Sequence, residues 1–138
     1  MKAYVDSSVI LRIIFAEKDV LKIPKNILVF AANEILKIEC FRTIDRMRHT
    51  LNIADDEIAE RHAAFHKTLR TLHLFKFTDA IVQRACESFP ITLKSLDAIH
   101  LSTATLWKQE ENTDILFLTH DIQLSKAARA LGFEVLGV

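Results

Sequence analysis

The sequence predicts an α/β fold, a three-layer α/β/α sandwich around a central, mainly parallel sheet of about five strands. Three observations carry that expectation. Short apolar, β-forming runs alternate with stretches of helical periodicity along the 138 residues, and that order builds a parallel sheet covered on both faces. Half of the residues are hydrophobic, with two Gly and two Pro in the whole chain, a composition that favours a packed core over disorder. No internal repeat, low-complexity tract or linker interrupts the alternation, so residues 1–138 read as one domain. At this length a chain buries roughly two-thirds of its unfolded surface and needs no staples.

Each element has a local reason. "KAYVDSS" opens with β-formers that end at Asp6, and "SVILRIIFAEK" follows at helical spacing, giving a strand and then a helix. "NILVF" is a second short strand, after which Asn33 is placed to cap a helix from Glu34 to about Arg48. Asp55 or Asp56 caps the next helix, within "DEIAERHAAFHKTLRTL", where Ile58, His62, Phe65 and Leu69 recur at three- and four-residue steps. "HLFKF" reads as a strand, Thr78 caps "DAIVQRACES", and Pro90 closes that helix or its loop. A helix capped by Ser95 covers "KSLDAIHLSTATLW". The strand "DILFLT", the helix "IQLSKAARAL", a Gly132 C-cap and a last strand "FEVLGV" complete the chain.

Eighteen basic and eighteen acidic side chains cancel, so no overall field draws a polyanion from a distance, and any nucleic-acid binding needs a local patch. Arg42, Arg46, Arg48 and His49, with Arg61, His62, His66, Lys67 and Arg70 on the next helix, are candidates for that patch. A solvated helical hairpin with scattered charges accounts for them equally. Arg42, one turn from Glu39, and Arg46 are the residues placed to touch phosphate, although Arg42 can instead pair with Glu39 or Asp45. Cys40 and Cys86 lie far apart and belong to no C-x-x-C or Cys/His array, which argues against zinc and redox motifs and suits a reducing cytoplasm. No run of about 18 apolar residues and no signal-peptide pattern is present. A soluble, cytoplasmic protein without membrane attachment is expected.

The informative residues are acids. Ligands of an open parallel sheet gather outside the carboxyl ends of its strands. Asp6 ends the first strand, and "DILFL" runs out into Thr119, His120 and Asp121. Glu39 lies on the helix after the second strand, beside an inward face formed by Ile35, Ile38 and Phe41. Asp97 sits among Leu96, Ala98 and Ile99, in the first turn of its helix and near the same sheet edge. Each acid has a plain alternative. Asp6 and Asp121 can be caps, Glu39 can be solvated or paired with Arg42, and Asp97 meets the positive end of a helix dipole. Together they say more, because converging carboxylates without matching cations repel and raise one another's pKa, a strain that a divalent cation relieves. All-oxygen ligation favours Mg²⁺ or Mn²⁺ over zinc. His100, three residues after Asp97, reads as a packed helix residue bonded to backbone or a neighbouring side chain. Most of Phe65, Leu69 and Leu72 reads as core, and Trp107 and Phe15 as core or dimer packing.

The segments "YVDSSVILRIIFAE", "EILKIECFR", "SLDAIHLSTA" and "FLTHDIQLSKAARALGFEVL" resemble those of PIN-domain nucleases, especially the VapC-type toxins of prokaryotic toxin–antitoxin pairs. The resemblance spans essentially the whole chain in family order. It implies that Asp6, Glu39, Asp97 and Asp121 form the family's acidic cluster and hold one or two Mg²⁺ or Mn²⁺ ions. The hydroxyls of Ser8 and Thr119 would assist by bonding the carboxylates or metal-bound water. It further implies an endoribonuclease that hydrolyses RNA phosphodiester bonds, a homodimer, and a cognate VapB-type antitoxin whose C-terminal segment lies across the second and third helices. One departure is that Ala31, Ala32 and Asn33 precede the Glu39 helix, where the family often has Ser; Asn33 can cap in its place. Two rival readings stand beside this one: a PIN-type RNA-processing nuclease without a toxin role, and a non-catalytic α/β module that binds RNA or protein and uses its acids as caps.

Overall fold

The computed structural model describes all 138 residues. Strands and helices alternate as β1 (Lys2–Val5), α1 (Ser7–Ile14), β2 (Val29–Asn33), α2 (Ile35–Thr50), α3 (Asp55–Leu69), β3 (Leu72–Phe75), α4 (Asp79–Ala85), α5 (Ser95–Glu111), β4 (Ile115–Leu118), α6 (Ile122–Ala130) and β5 (Glu134–Leu136). The five strands form one all-parallel sheet in the order β3-β2-β1-β4-β5. The expected α/β class and three-layer architecture are therefore present. The chain winds outward from β1 to β3, then crosses back to β4 and β5, so the winding direction reverses between β1 and β4. That switch point opens a crevice at the strands' carboxyl ends.

Strand pleating assigns the core residues to two layers. Register pairs Ala3 with Leu116, Tyr4 with Phe117 and Val5 with Leu118. Ala3, Val5, Ala32, Leu116 and Leu118 pack under α1, α2 and α3 with Val9, Ile10, Leu36, Ile44 and Phe65. Tyr4, Ala31, Ile115 and Phe117 face the other way, against Leu101, Ala104 and Trp107 of α5 and Leu124, Ala127 and Ala128 of α6. Trp107 and Phe65 are thus core, and Leu69, Leu72 and Phe15 pack partly buried against it. No helix is long and apolar enough to cross a membrane.

Several local expectations need correction. The buried stripe of α2 is Leu36, Cys40 and Ile44 at four-residue steps, whereas Ile38 is 61% exposed. Apolar residues occupy two neighbouring stripes of this helix, and only the one beginning at Leu36 meets the sheet. Asp6, Thr78 and Asp121 cap their helices as expected. Asp55 and Asp56 do not cap; they occupy the first turn of α3 after Ala54, where they act through the helix dipole. Ser95 does not cap either, because it is the first helical residue of α5 and no side chain caps that end. Asn33 belongs to β2 and Glu34 occupies the cap position, yet Asn33 Oδ1 still accepts from Ile35 N–H at 2.9 Å.

Gly137 braces the turn that follows β4. Its φ is +116°, and a Cβ there would stand 2.1 Å from the Thr119 carbonyl oxygen. Its own carbonyl accepts from His120 Nδ1 at 2.7 Å, while Thr119 N–H donates to Leu136 O at 3.0 Å. Gly137→Ala is expected to lower stability by about 1–3 kcal/mol, through positive φ and the forced displacement. Urea titration checks this, and an unchanged midpoint would contradict the close approach.

Candidate active site

Asp6 occupies the handover from β1 to α1 and is only 3% exposed. Its Oδ1 accepts from Ser8 N–H (3.1 Å), the Ser8 hydroxyl (2.6 Å) and Val9 N–H (3.4 Å), and its Oδ2 accepts from the Thr119 hydroxyl at 2.8 Å. Burial raises its pKa above the usual carboxylate range, with His100, Ser8, Thr119 and Val9 opposing that shift only in part. The same hydroxyls lock the β4 side of the crevice. Ser8 Oγ accepts from His120 N–H at 2.8 Å, and Thr119 Oγ1 accepts from Asp121 N–H at 2.9 Å. Ser8 and Thr119 therefore hold Asp6 and the turn carrying Asp121 in one network.

Glu39, on the exposed side of the buried α2 stripe, reaches back toward the strand ends. Ser7 Oγ donates to its Oε2 at 2.9 Å, and His100 Nε2 lies 2.5 Å from its Oε1. Burial pushes the Glu39 carboxyl up, but His100, by hydrogen bond and charge, together with Ser7, outweighs burial and leaves its pKa lowered. Arg42 does not pair with Glu39; it meets Asp45 at 3.6 Å on the surface. Asp121 is partly exposed, and its Oδ1 caps α6 through Leu124 N–H at 2.7 Å.

Asp97 joins this group through its charge. Its pKa is pushed up to about 6, by burial first and then by Asp121, with Asp6 and Glu39 adding to the rise and His100 opposing it. Asp97 thus feels the other three acids, and none of the four is paired with a lysine or arginine. Beside Glu39 lies a cleft of about 260 Å³ lined by Ser7, Ile38, Arg42, Arg46 and Leu96 among others. The two arginines singled out in the sequence therefore share a cleft with Glu39.

As they stand, no three His, Cys, Asp or Glu side chains form a set closed enough to grip a metal. Their chemistry nevertheless fits a hard divalent cation: the donors are all oxygen, and the raised Asp97 pKa records burial first and then repulsion by the other acids, which His100 offsets only in part. Asp6, Glu39, Asp97 and Asp121 are the residues that would hold such an ion. Sequence reasoning missed Ser7 and Tyr4. It read His100 correctly as packed, since the ring is 1% exposed, but not as a partner of Glu39. The available signal was the placement of His100 one turn from Asp97 on the helix that covers β1 and β2.

Carboxylates gathered at the switch point of a parallel α/β sheet, none of them paired with lysine or arginine, place this chain among open α/β proteins with an acidic crevice at the strand ends. The PIN domain family matches residues 3–130, and the chain belongs to that family, whose members are nucleases that typically use divalent metals. No curated protein matches the sequence.

A pH-dependent stability difference follows from Asp97. Its folded pKa of about 6 exceeds the model-peptide value of 3.8, so the folded state binds the extra proton and stability falls as pH rises from about 4 to 6. In chelator at pH 7, Asp97→Asn is expected to be more stable than wild type by on the order of 1 kcal/mol, allowing for the partial exposure of the group. The difference should vanish near pH 4. Chemical denaturation at the two pH values checks this, and a less stable Asn variant at pH 7 would contradict it.

Proposed function

We propose that this chain is a Mg²⁺- or Mn²⁺-dependent endoribonuclease acting as the toxin of a type II toxin–antitoxin pair, with Asp6, Glu39, Asp97 and Asp121 holding one or two ions. The observation that supports the metal-dependent reading is the gathering of four carboxylates, none paired with lysine or arginine, at the switch point. The choice of RNA and the toxin role rest on the chain-wide resemblance to VapC-type toxins. So do a homodimer and a VapB-type antitoxin as partners, and exposed Ile38 on α2 and Leu51 just after it offer apolar surface for the latter. Free Cys40 and Cys86 suit a reducing cytoplasm.

A bound divalent ion would supply an acidified water near neutral pH and would stabilise charge on the phosphate and leaving oxygen. The chain's own residues do the rest. Ser8 and Thr119 hold Asp6, and Ser7 and His100 hold Glu39, so these two carboxylates keep fixed orientations toward the crevice. Arg42 and Arg46 bind backbone phosphates along the cleft. In-line attack of water forms a new P–O bond and breaks the P–O3′ bond. The proton ends on the departing 3′-oxygen, leaving 5′-phosphate and 3′-hydroxyl ends.

Asp6→Asn and Asp97→Asn are each expected to reduce Mn²⁺-dependent RNA cleavage by on the order of 10³-fold or more without unfolding the protein. Sequencing of RNA ends beside circular dichroism checks this, and equal cleavage by wild type and both variants would overturn the nuclease assignment. Growth arrest on expression of the chain alone supports the toxin role, and its absence favours RNA processing. Arg42→Ala and Arg46→Ala should each weaken RNA binding evenly across sequences and reduce the salt slope by about 1. Filter binding at several salt concentrations measures that slope, and an unchanged one would remove the arginines from the interface.

A further inference from the structure

We infer that Tyr4 and His100 are positioning residues for Glu39: the buried Tyr4 hydroxyl fixes the His100 ring so that its Nε2–H is aimed at Glu39 Oε1, which sets how that carboxylate meets a cation. The inference deepens the proposed function and takes Glu39 to be a metal ligand.

The Tyr4 oxygen accepts from the backbone N–H of Asn33 at 3.0 Å, and lies 2.8 Å from His100 Nδ1. Accepting from Asn33 leaves the phenol's one hydrogen to be donated, and His100 Nδ1 faces it at hydrogen-bond distance. Accepting at Nδ1 leaves the ring's proton on Nε2, which faces Glu39 Oε1 at 2.5 Å. The tautomer is thereby assigned by the network rather than seen. Ser7 pins the second carboxylate oxygen from α1. Each oxygen keeps a lone pair for a cation.

The relay is held rigidly. Tyr4 has no exposed surface, stacks on Phe117 with ring centroids 5.4 Å apart, and meets the His100 ring edge-on at 5.9 Å. One helical turn beyond His100, Thr103 Oγ1 accepts from Asn33 Nδ2 at 3.0 Å. β1, β2 and α5 are therefore joined behind the carboxylate. Phenylalanine at position 4 would fill nearly the same space but leave the buried Asn33 N–H and His100 Nδ1 without that partner, so the hydroxyl acts through its bonds and not through packing. Without it, the ring is free to carry its proton on Nδ1, and the Nε2 lone pair then repels Glu39.

Calorimetric Mn²⁺ titration of the full chain tests this with Tyr4→Phe, His100→Gln and the double variant. Tyr4→Phe is expected to weaken Mn²⁺ binding about tenfold, the usual effect of removing a group that orients a ligand. Glutamine at position 100 donates an amide N–H that has no alternative tautomer. Adding Tyr4→Phe to His100→Gln should therefore change affinity less than about twofold, whereas a merely structural Tyr4 would lower it equally in both backgrounds. Long-range ¹⁵N NMR of the metal-free wild type should show His100 with Nε2 protonated and Nδ1 bare, a readout that needs neither metal nor a variant. Wild-type affinity in Tyr4→Phe, an equal loss in the His100→Gln background, or a protonated Nδ1 in the wild type would each overturn the positioning role. A wild type that binds no Mn²⁺ would instead overturn the ligand assignment of Glu39, and the positioning role with it.

Discussion

The arrangement depends on a carboxylate buried where a strand becomes a helix. Asp6 is almost wholly removed from water, and such a group is tolerated only when its oxygens are fully bonded. The first turn of α1 supplies two N–H donors and the Ser8 hydroxyl, and the residue that follows β4 supplies the Thr119 hydroxyl. That last bond requires β1 and β4 to be neighbours, which is the pairing at which the sheet changes direction. Cap and site are thus one structure: the bonds that start α1 are also those that aim Asp6 into the crevice.

Electrostatics then separates the four acids. Glu39 has an imidazole and a hydroxyl and is held low; Asp97 has neither and rises to about 6. No lysine or arginine intrudes among them, although Arg42 and Arg46 stand one cleft away. This is a poor arrangement for stability and a good one for binding a divalent cation beside a polyanion, since the residues that repel one another are the ones that a cation would draw together.

Most of the fold was legible because its signals are local. Alternating apolar runs, the caps Thr78 and Asp121, and Gly132 after α6 need only a few residues of context. Mistakes arose where one local rule allowed two answers. Ile38 and Leu36 both lie on apolar stripes of α2, and only the sheet decides which is buried. Ser95 has good capping chemistry, but α5 starts one residue too early for it to serve. The four acids could be nominated from strand ends and helix starts, and Arg42 and Arg46 from their spacing. The Tyr4–His100–Glu39 relay could not, because residues 4, 39 and 100 meet only once β1, β2 and α5 are stacked in register.

The central claim is that Asp6, Glu39, Asp97 and Asp121 assemble one cation site at the switch point. Anomalous diffraction at the manganese edge, from crystals grown with Mn²⁺, tests it most directly. The account predicts a peak between the ends of β1 and β4 within ligand distance, about 2.0–2.4 Å, of oxygens from at least two of these carboxylates. A crystal with no anomalous peak there, or with manganese only at other acids, would contradict it.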